Sequence, residues 1–293
     1  MRIKSFAKIN LGLEVLAKRA DGYHEIKTVF QSVGLSDVLR IAPCAGPGIR
    51  LAGSDPSVSW DETNLVARAA RLLQEAYGVR RGADIFVDKN IPPGKGLGGG
   101  SSNAAMALWG LARLWNLAED KPGLLALAGR LGADVPYFLE GGLCLGTGRG
   151  DVLTPLPERI SFYCLLVLPP FPVPTSGIYG ALPAAGSPAG LTSAGKAGKI
   201  DAFLRTDELR FLANGLEETI FRLFPQIKGI KSLIQSLGPE LSLVSGSGSA
   251  VFGLFRERQT AEAALATAGA EHRAVLVEFV SRQRYWTDVN AGA

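Results

Sequence analysis

Hydrophobic and polar positions change period several times along this chain. Over Arg2–Leu16 the aliphatic residues alternate in part with polar ones, which predicts a β-strand. Asp21-Gly22 favours a tight reversal, so Tyr23–Val33 reads as the returning strand and Asp37–Ile41 as a third, antiparallel to it. From Asp61 to Tyr77 the period lengthens. Leu65, Ala69, Leu72, Leu73 and Ala76 share a helical face, and Gly78 ends the helix. Ala83–Val87 is a short strand, Ala104–Leu114 an alanine-rich helix, and Leu124–Leu131 a further helix stopped by Gly132. Glycine turns and short strands fill Gly141–Thr154, and the apolar run Phe162–Leu168 reads as a buried strand. Phe203–Phe224 and Pro225–Leu237 read as amphipathic helices parted at Pro225. Leu243–Phe255 is two strands around a Gly/Ser turn, followed by a helix at Thr260–Ala268 and a strand at Ala274–Val280. Pro183–Lys199 is low in complexity and reads as a surface loop. Arg282–Ala293 is a tail of open course. Strands mixed with helices, without an internal repeat, give an α+β class.

Composition narrows the picture. The 293 residues suffice for one large domain or two moderate ones, and a hydrophobic fraction of 47% with 20% charged residues is that of an ordinary globular chain. A formal charge of +4 without a basic run suits anionic metabolites and argues against nucleic acid. Cys44, Cys144 and Cys164 are far apart and odd in number, as expected of reduced core cysteines in a cytosolic protein. Met1–Asn10 lacks the apolar region of a signal peptide, and no apolar run approaches the ~20 residues of a membrane span.

The stretch with most chemical content is Pro92–Ala105, PPGKGLGGGSSNAA, with five glycines in fourteen residues. A glycine run that opens a helix aims backbone N–H groups and the positive helix end at one point, which suits phosphate. The Gly-Lys-Ser/Thr ending of a P-loop is missing, because Gly100 runs directly into Ser101. Gly94, Gly96 and Gly99 satisfy G-x-G-x-x-G, but Ile91-Pro92-Pro93 interrupts the direct strand-to-glycine path of a dinucleotide fold. Elsewhere the residues leave alternatives open. Lys8 and Asn10 share one face of their strand, either towards solvent or towards a site. Asp134 precedes Val135-Pro136 and could be a helix cap or a catalytic carboxylate. Tyr23 and His24 flank a hairpin, Thr175 and Tyr179 belong to a proline-rich stretch, and Gly246 and Gly248 form a hairpin-like turn. Asn64 either caps its helix or touches a nucleotide.

Taken together, these motifs resemble the GHMP small-molecule kinases (galactokinase, homoserine, mevalonate and phosphomevalonate kinases). Pro92–Ser102 is similar to their ATP loop, Ala7–Leu11 to A-K-[IL]-N-L, Gly132–Phe138 to G-x-D-V-P-[FV]-F with Tyr137 a mild departure, and Ser245–Phe252 to S-G-S-G-[SA]-x-[VI]-F. Arg19–His24 resembles R-x-D-G-Y-H, the mark of the branch that phosphorylates 4-diphosphocytidyl-2-C-methyl-D-erythritol in the non-mevalonate isoprenoid route. Asn214-Gly215-Leu216-Glu217 departs from N-D-L-E at Gly215.

The resemblance implies a two-domain architecture: a ribosomal S5-like domain over 1–158 and a ferredoxin-like domain over 159–293. It implies an ATP-dependent kinase with Lys8 and Asp134 catalytic. ATP would lie on Pro92-Pro93-Gly94-Lys95-Gly96-Leu97-Gly98-Gly99-Gly100-Ser101-Ser102-Asn103, with Lys89 flanking the adenine. Mg²⁺ would bridge the phosphates near Ser101 or Ser102, without a dedicated protein metal cage. Asn10, Tyr23, His24, Thr175, Tyr179, Gly246 and Gly248 would serve a cytidine-diphosphate substrate, with Tyr23 and Tyr179 on the two faces of cytosine. A cytoplasmic monomer or weak homodimer, with no nucleic-acid or membrane partner, completes the expectation.

Overall fold

The computed structural model describes residues 1–117, 120–158, 160–182 and 198–292. In chain order the first half holds β1 (Arg2–Lys18), β2 (His24–Cys44), β3 (Ile49–Gly53), α1 (Leu65–Tyr77), β4 (Gly82–Asp88), α2 (Gly99–Leu114), α3 (Lys121–Leu131), α4 (Val135–Phe138), β5 (Leu143–Thr147) and β6 (Val152–Pro155). Its strands form one six-stranded sheet in the order β3-β4-β2-β5-β6, with β1 paired to β2. The second half holds β7 (Tyr163–Val167), α5 (Thr175–Gly180), α6 (Lys199–Thr206), α7 (Glu217–Leu223), α8 (Pro225–Ser236), β8 (Leu241–Val244), β9 (Val251–Phe255), α9 (Arg258–Gly269), β10 (Ala274–Glu278) and α10 (Arg282–Asn290). Its four strands make an antiparallel sheet in the order β10-β7-β9-β8. Strand, helices, two strands, helix, strand is the β-α-β-β-α-β order of ferredoxin-like folds.

Local signals explain some helix ends. Asn64 caps α1 by accepting a hydrogen bond from the Val66 N–H, and Gly78 closes the helix in the left-handed region at φ 63°. Two expectations need correction. Tyr23–Val33 and Asp37–Ile41 are not separate strands, because β2 runs unbroken from His24 to Cys44. It changes neighbour instead: Thr28–Gln31 pair with β5 and Val38–Cys44 with β4. Phe203–Phe224 is not one helix either. Asp207 turns left-handed at φ 57°, a single 3-10 turn follows at Leu209–Phe211, and the chain then runs extended along β1, where Leu13 N–H donates to Ala213 and Gly215 N–H donates to Leu13. That extended stretch satisfies backbone groups of β1 that a continuous helix would leave unpaired. The loop expected at Pro183–Lys199 lies outside the described residues from 183 to 197; Gly198 and Lys199 open α6.

Three apolar layers hold the molecule together. The first packs α1, α2, α3 and α4 on the first sheet, with Ile3, Leu39 and Trp115 buried. The chain's last helix returns to this layer: Tyr285 and Val289 of α10 are fully buried there, and Tyr285 donates to Phe138 O at 2.7 Å. The third layer lies between the second sheet and α7, α8 and α9. The middle layer joins the two sheets, packing Ile9, Leu11 and Val29 with Phe162, Leu166 and Phe252. Ile91 and Leu97, at the two ends of the glycine-rich loop's first half, belong to it. The loop is therefore fixed at the junction of the two halves.

Candidate active site

The glycine-rich loop joins β4 to α2. Gly94, Gly96 and Gly98 have φ of 69°, 74° and 71°, the left-handed region that side chains disfavour. A Cβ on Gly96 would stand 2.1 Å from Ser245 O, and one on Gly98 would stand 2.6 Å from the Phe138 ring. Four hydrogen bonds tie the loop's carbonyls: Val173 N–H to Gly94 (3.2 Å), Ala250 N–H to Lys95 (3.1 Å), Ser245 Oγ–H to Gly96 (3.0 Å) and Lys8 N–H to Leu97 (3.0 Å). Leu97 is 1% exposed and anchors the loop in the middle layer. With its carbonyls held by protein, the loop has its N–H groups left for a ligand, beside the first-turn N–H groups of α2, which lack intrahelical partners. Such an arrangement of N–H groups suits an anion, phosphate above all.

Beside it opens a cleft of about 1010 Å³. Gly96 and Ser101 form its loop wall, Lys8, Asn10 and Asp134 its floor, Tyr23, His24 and Tyr179 its far end, and Thr175 and Gly246, from the second half of the chain, its opposite wall. β1 delivers Lys8 and Asn10 to one face, as their spacing requires. The Lys8 ammonium donates to Asn10 Oδ1 at 2.6 Å and lies 3.5 Å from Asp134 Oδ2. Asn10 Nδ2 donates to Thr28 Oγ1 at 2.8 Å, and Thr28 donates to Gly12 O at 2.7 Å, so the amide orientation is fixed from below. Lys8 is 5% exposed at its side chain, and Phe30 lies under its ammonium at 5.4 Å, a cation–π contact. Asp134 occupies the position before α4 with helical φ and ψ, and its side chain makes no capping hydrogen bond. Its carboxylate, 38% exposed, faces Lys8 and the cleft.

At the aromatic end two side-chain pairs already meet. Tyr179 rests on His24, with ring centroids 5.3 Å apart and planes tilted by 32°. Tyr23, 55% exposed, lies beside the Arg149 guanidinium at 5.0 Å. Burial and the nearby Lys18 charge lower the pKa of His24 below the ordinary histidine value. Burial, and then the Asp134 charge, raise that of the Tyr179 phenol. Thr175 and Ser247 share a 2.8 Å hydroxyl contact across the cleft wall. Gly248, at φ 86°, backs onto Gly96 rather than lining the cleft.

Several residues expected at the nucleotide turn their side chains elsewhere. Ser102 is fully buried and accepts from Ser5 Oγ at 2.7 Å, whereas Ser101 lines the cleft. Lys95 donates to Phe171 O at 2.6 Å, and burial lowers its pKa. Lys89 pairs with Asp37 and Asn103. Pro92, Pro93, Gly94 and Lys95 line a second cleft of about 1030 Å³ across the loop, opposite Asp55 and Ser57. Gly99 and Gly100 open α2; a Cβ on Gly99 would meet Ile91 at 2.9 Å, whereas Gly100 has nothing closer than 3.9 Å. Among the described residues no group of three or more His, Cys, Asp or Glu side chains could hold a metal ion, and no helix is long and apolar enough to cross a membrane.

The sequence reading did not find Arg149, Ser247 or Asp37. Arg149 sits between two positive-φ glycines, Gly148 and Gly150, and that pattern was a usable signal. Asp37 carried no local signal.

The family descriptions "GHMP kinases N terminal domain" and "GHMP kinases C terminal" match residues 64–142 and 198–273. A 4-diphosphocytidyl-2-C-methyl-D-erythritol kinase of Pelotomaculum thermopropionicum is 42% identical over 255 residues, covering 87% of this chain and 89% of that protein. One of Acaryochloris marina is 38% identical, covering 89% and 88%. A crystal structure of 4-(cytidine 5'-diphospho)-2C-methyl-D-erythritol kinase superposes with a TM-score of 0.79 at 37% identity, covering 95% of this chain and 99% of that one. A homoserine kinase from Cytophaga hutchinsonii shares the fold, with a TM-score of 0.76 at 20% identity over 97% of this chain and 96% of its own.

Proposed function

Because this chain belongs to the GHMP kinases, a family of small-molecule kinases, we propose that it transfers the γ-phosphoryl group of ATP to the 2-hydroxyl of 4-diphosphocytidyl-2-C-methyl-D-erythritol, a step of the non-mevalonate route to isoprenoid precursors. The observation that carries this reading is the joining, in one cleft, of the Lys8–Asp134 pair, the start of α2 and an aromatic end at Tyr23, His24 and Tyr179.

The phosphates of ATP take the loop N–H groups and the first turn of α2. The nucleoside lies towards Pro92, Pro93 and the second cleft. Cytosine stacks on Tyr179, taking over the face that now meets His24, with Tyr23 on its other side and the His24 imidazole at its edge. The substrate diphosphate passes Thr175, Ser247 and Arg149. Asp134 accepts the proton of the 2-hydroxyl as that oxygen bonds to phosphorus and the bond to ADP breaks. Lys8 orients Asp134 and offsets charge on the transferring group. Phosphoryl transfer needs little covalent help, so positioning and electrostatics are the main contribution of these residues.

Among the described residues the donor set fits a metal carried in by phosphates rather than one caged by carboxylates. Mg²⁺ would be held by phosphate oxygens, waters and the Ser101 hydroxyl, and when bound it supplies neutralising charge to the phosphates. The test is a coupled ADP-release assay with the cytidylyl alcohol beside homoserine, mevalonate and galactose. Turnover of the first alone is expected; preferential turnover of another alcohol would overturn the substrate assignment.

A further inference from the structure

Asp37 has no place in the transfer scheme, yet it is fully buried on β2 and fully engaged. It accepts from Asn90 N–H at 2.7 Å, Ile91 N–H at 2.8 Å, Asn103 Nδ2 at 2.9 Å and the Lys89 ammonium. Asn90 and Ile91 lead into the glycine-rich loop, and Asn103 lies in the helix that leads out of it. Asn103 also accepts from Lys89 at 3.1 Å and donates to Ser5 at 2.9 Å, and Ser5 in turn holds Ser102. The Lys89 ammonium lies 3.3 Å from where a Cβ on Gly99 would be, directly under the start of α2.

A buried carboxylate is tolerated only when donors satisfy it. Here the donors come from both ends of one loop, so satisfying the charge fixes the spacing of those ends. Two of them are backbone N–H groups, which cannot rotate away. We propose that Asp37 is the positioning residue of the nucleotide site. It pins the entry and exit of the phosphate loop to β2 at one spacing, and Lys89 serves as its counter-charge rather than as a ligand of ATP. This rests on the reading that the loop binds ATP. It concerns the nucleotide alone, because no partner of Asp37 reaches the aromatic end of the cleft.

The test compares Asp37→Asn, Lys89→Met and Asn103→Ala. Calorimetry gives the Kd for ATP, the coupled assay gives KM for each substrate and kcat, and melting gives Tm. Asp37→Asn keeps the shape but turns an NH₂ towards Lys89 and Asn103. The expected result is a Kd and KM for ATP raised between about tenfold and a hundredfold, the scale of small misplacements in an assembled site. The KM for the alcohol and the kcat at saturating ATP should stay within about threefold. Lys89→Met leaves Asp37 with its other three donors and should weaken ATP less than Asp37→Asn does. A lower Tm with unchanged ATP affinity in Asp37→Asn would make Asp37 a fold residue only and overturn the proposal. Lys89→Met weakening ATP as much as Asp37→Asn with Tm unchanged would make the lysine a nucleotide ligand and overturn it too, because loss of a buried counter-charge would lower Tm. If Asp37→Asn does not fold, Asn103→Ala decides. It removes the exit tie, together with the contacts of Asn103 to Lys89 and Ser5, and leaves both entry N–H ties in place, so raised KM for ATP supports the proposal and unchanged KM refutes it. The calorimetric comparison needs no acceptor, so it stands even if the cytidylyl alcohol is not turned over.

Discussion

The Lys8 ammonium stands 3.5 Å from the Asp134 carboxylate while it donates to Asn10 at 2.6 Å, so the cation is held from below and the anion is left to the cleft. Replacing Asp134 by Asn keeps the shape but removes proton acceptance and the ion pair. We expect kcat to fall by about 10²–10⁴-fold, the usual effect of losing a general base, with both substrates still bound. Lys8→Met should do similar harm, and the double variant little more, because residues that act as one unit are not additive. Since Asp134 makes no capping bond, Asp134→Asn should melt close to the parent. Near-normal kcat with a lowered Tm would remove Asp134 from the chemistry.

Specificity is expected to divide cleanly between the two ends of the cleft. Tyr179→Phe preserves the ring and should bind the cytidylyl alcohol nearly as well as the parent. Tyr179→Ala and Tyr23→Ala should each lose about 1–3 kcal/mol of stacking. ATP affinity, read by calorimetry, should not move in any of the three. Equal loss for both substrates would mean that these rings support the fold and not the base.

The loop glycines are expected to fall into two classes. Gly96→Ala would bring a Cβ to 2.1 Å from the Ser245 backbone carbonyl, and Gly98→Ala would bring one to 2.6 Å from Phe138. Each also forces a side chain into the left-handed region, which costs roughly 1–2 kcal/mol. Gly100→Ala meets nothing closer than 3.9 Å and favours the helix, so its Tm should equal or exceed the parent's. ATP affinity should fall in the first two variants. Unchanged affinity in Gly96→Ala would argue against a phosphate cradle.

His24 gives a pH prediction. Burial and the Lys18 charge disfavour its charged form, so its imidazole should titrate below the ordinary histidine value in the folded protein. Between those two values the unfolded chain binds more protons. Stability is therefore fully present above the ordinary value and declines as pH falls towards the folded one. Proton NMR of the ring, assigned with His24→Gln, reads this directly, and a midpoint above the ordinary value would contradict the burial argument.

How much of this was legible beforehand follows from the range of each signal. A glycine run announces a permissive backbone, which is a local property; of Gly98 and Gly99, the first takes a positive φ, as Gly94 and Gly96 do, and the second a close approach to Ile91. The helix of α1, with Asn64 before it and Gly78 after it, was likewise written in adjacent residues. The parity of Lys8 and Asn10 placed them on one strand face. Periodicity could not say that this face meets Asp134, because the contact depends on how packing against α2 and α3 seats the start of α4. The motifs as a set suggested the pairing, and the tertiary structure supplied its distance. The unbroken course of β2 was hidden, since a strand that changes neighbours needs no local mark. The return of α10 was hidden too, because Tyr285 and Val289 find their burial against residues from the opposite end of the chain. Asp37 shows the limit most plainly. In sequence it is an aspartate in a strand; only packing surrounds it with donors from two segments on either side of the loop, and only then does a buried charge become something that holds a site in place.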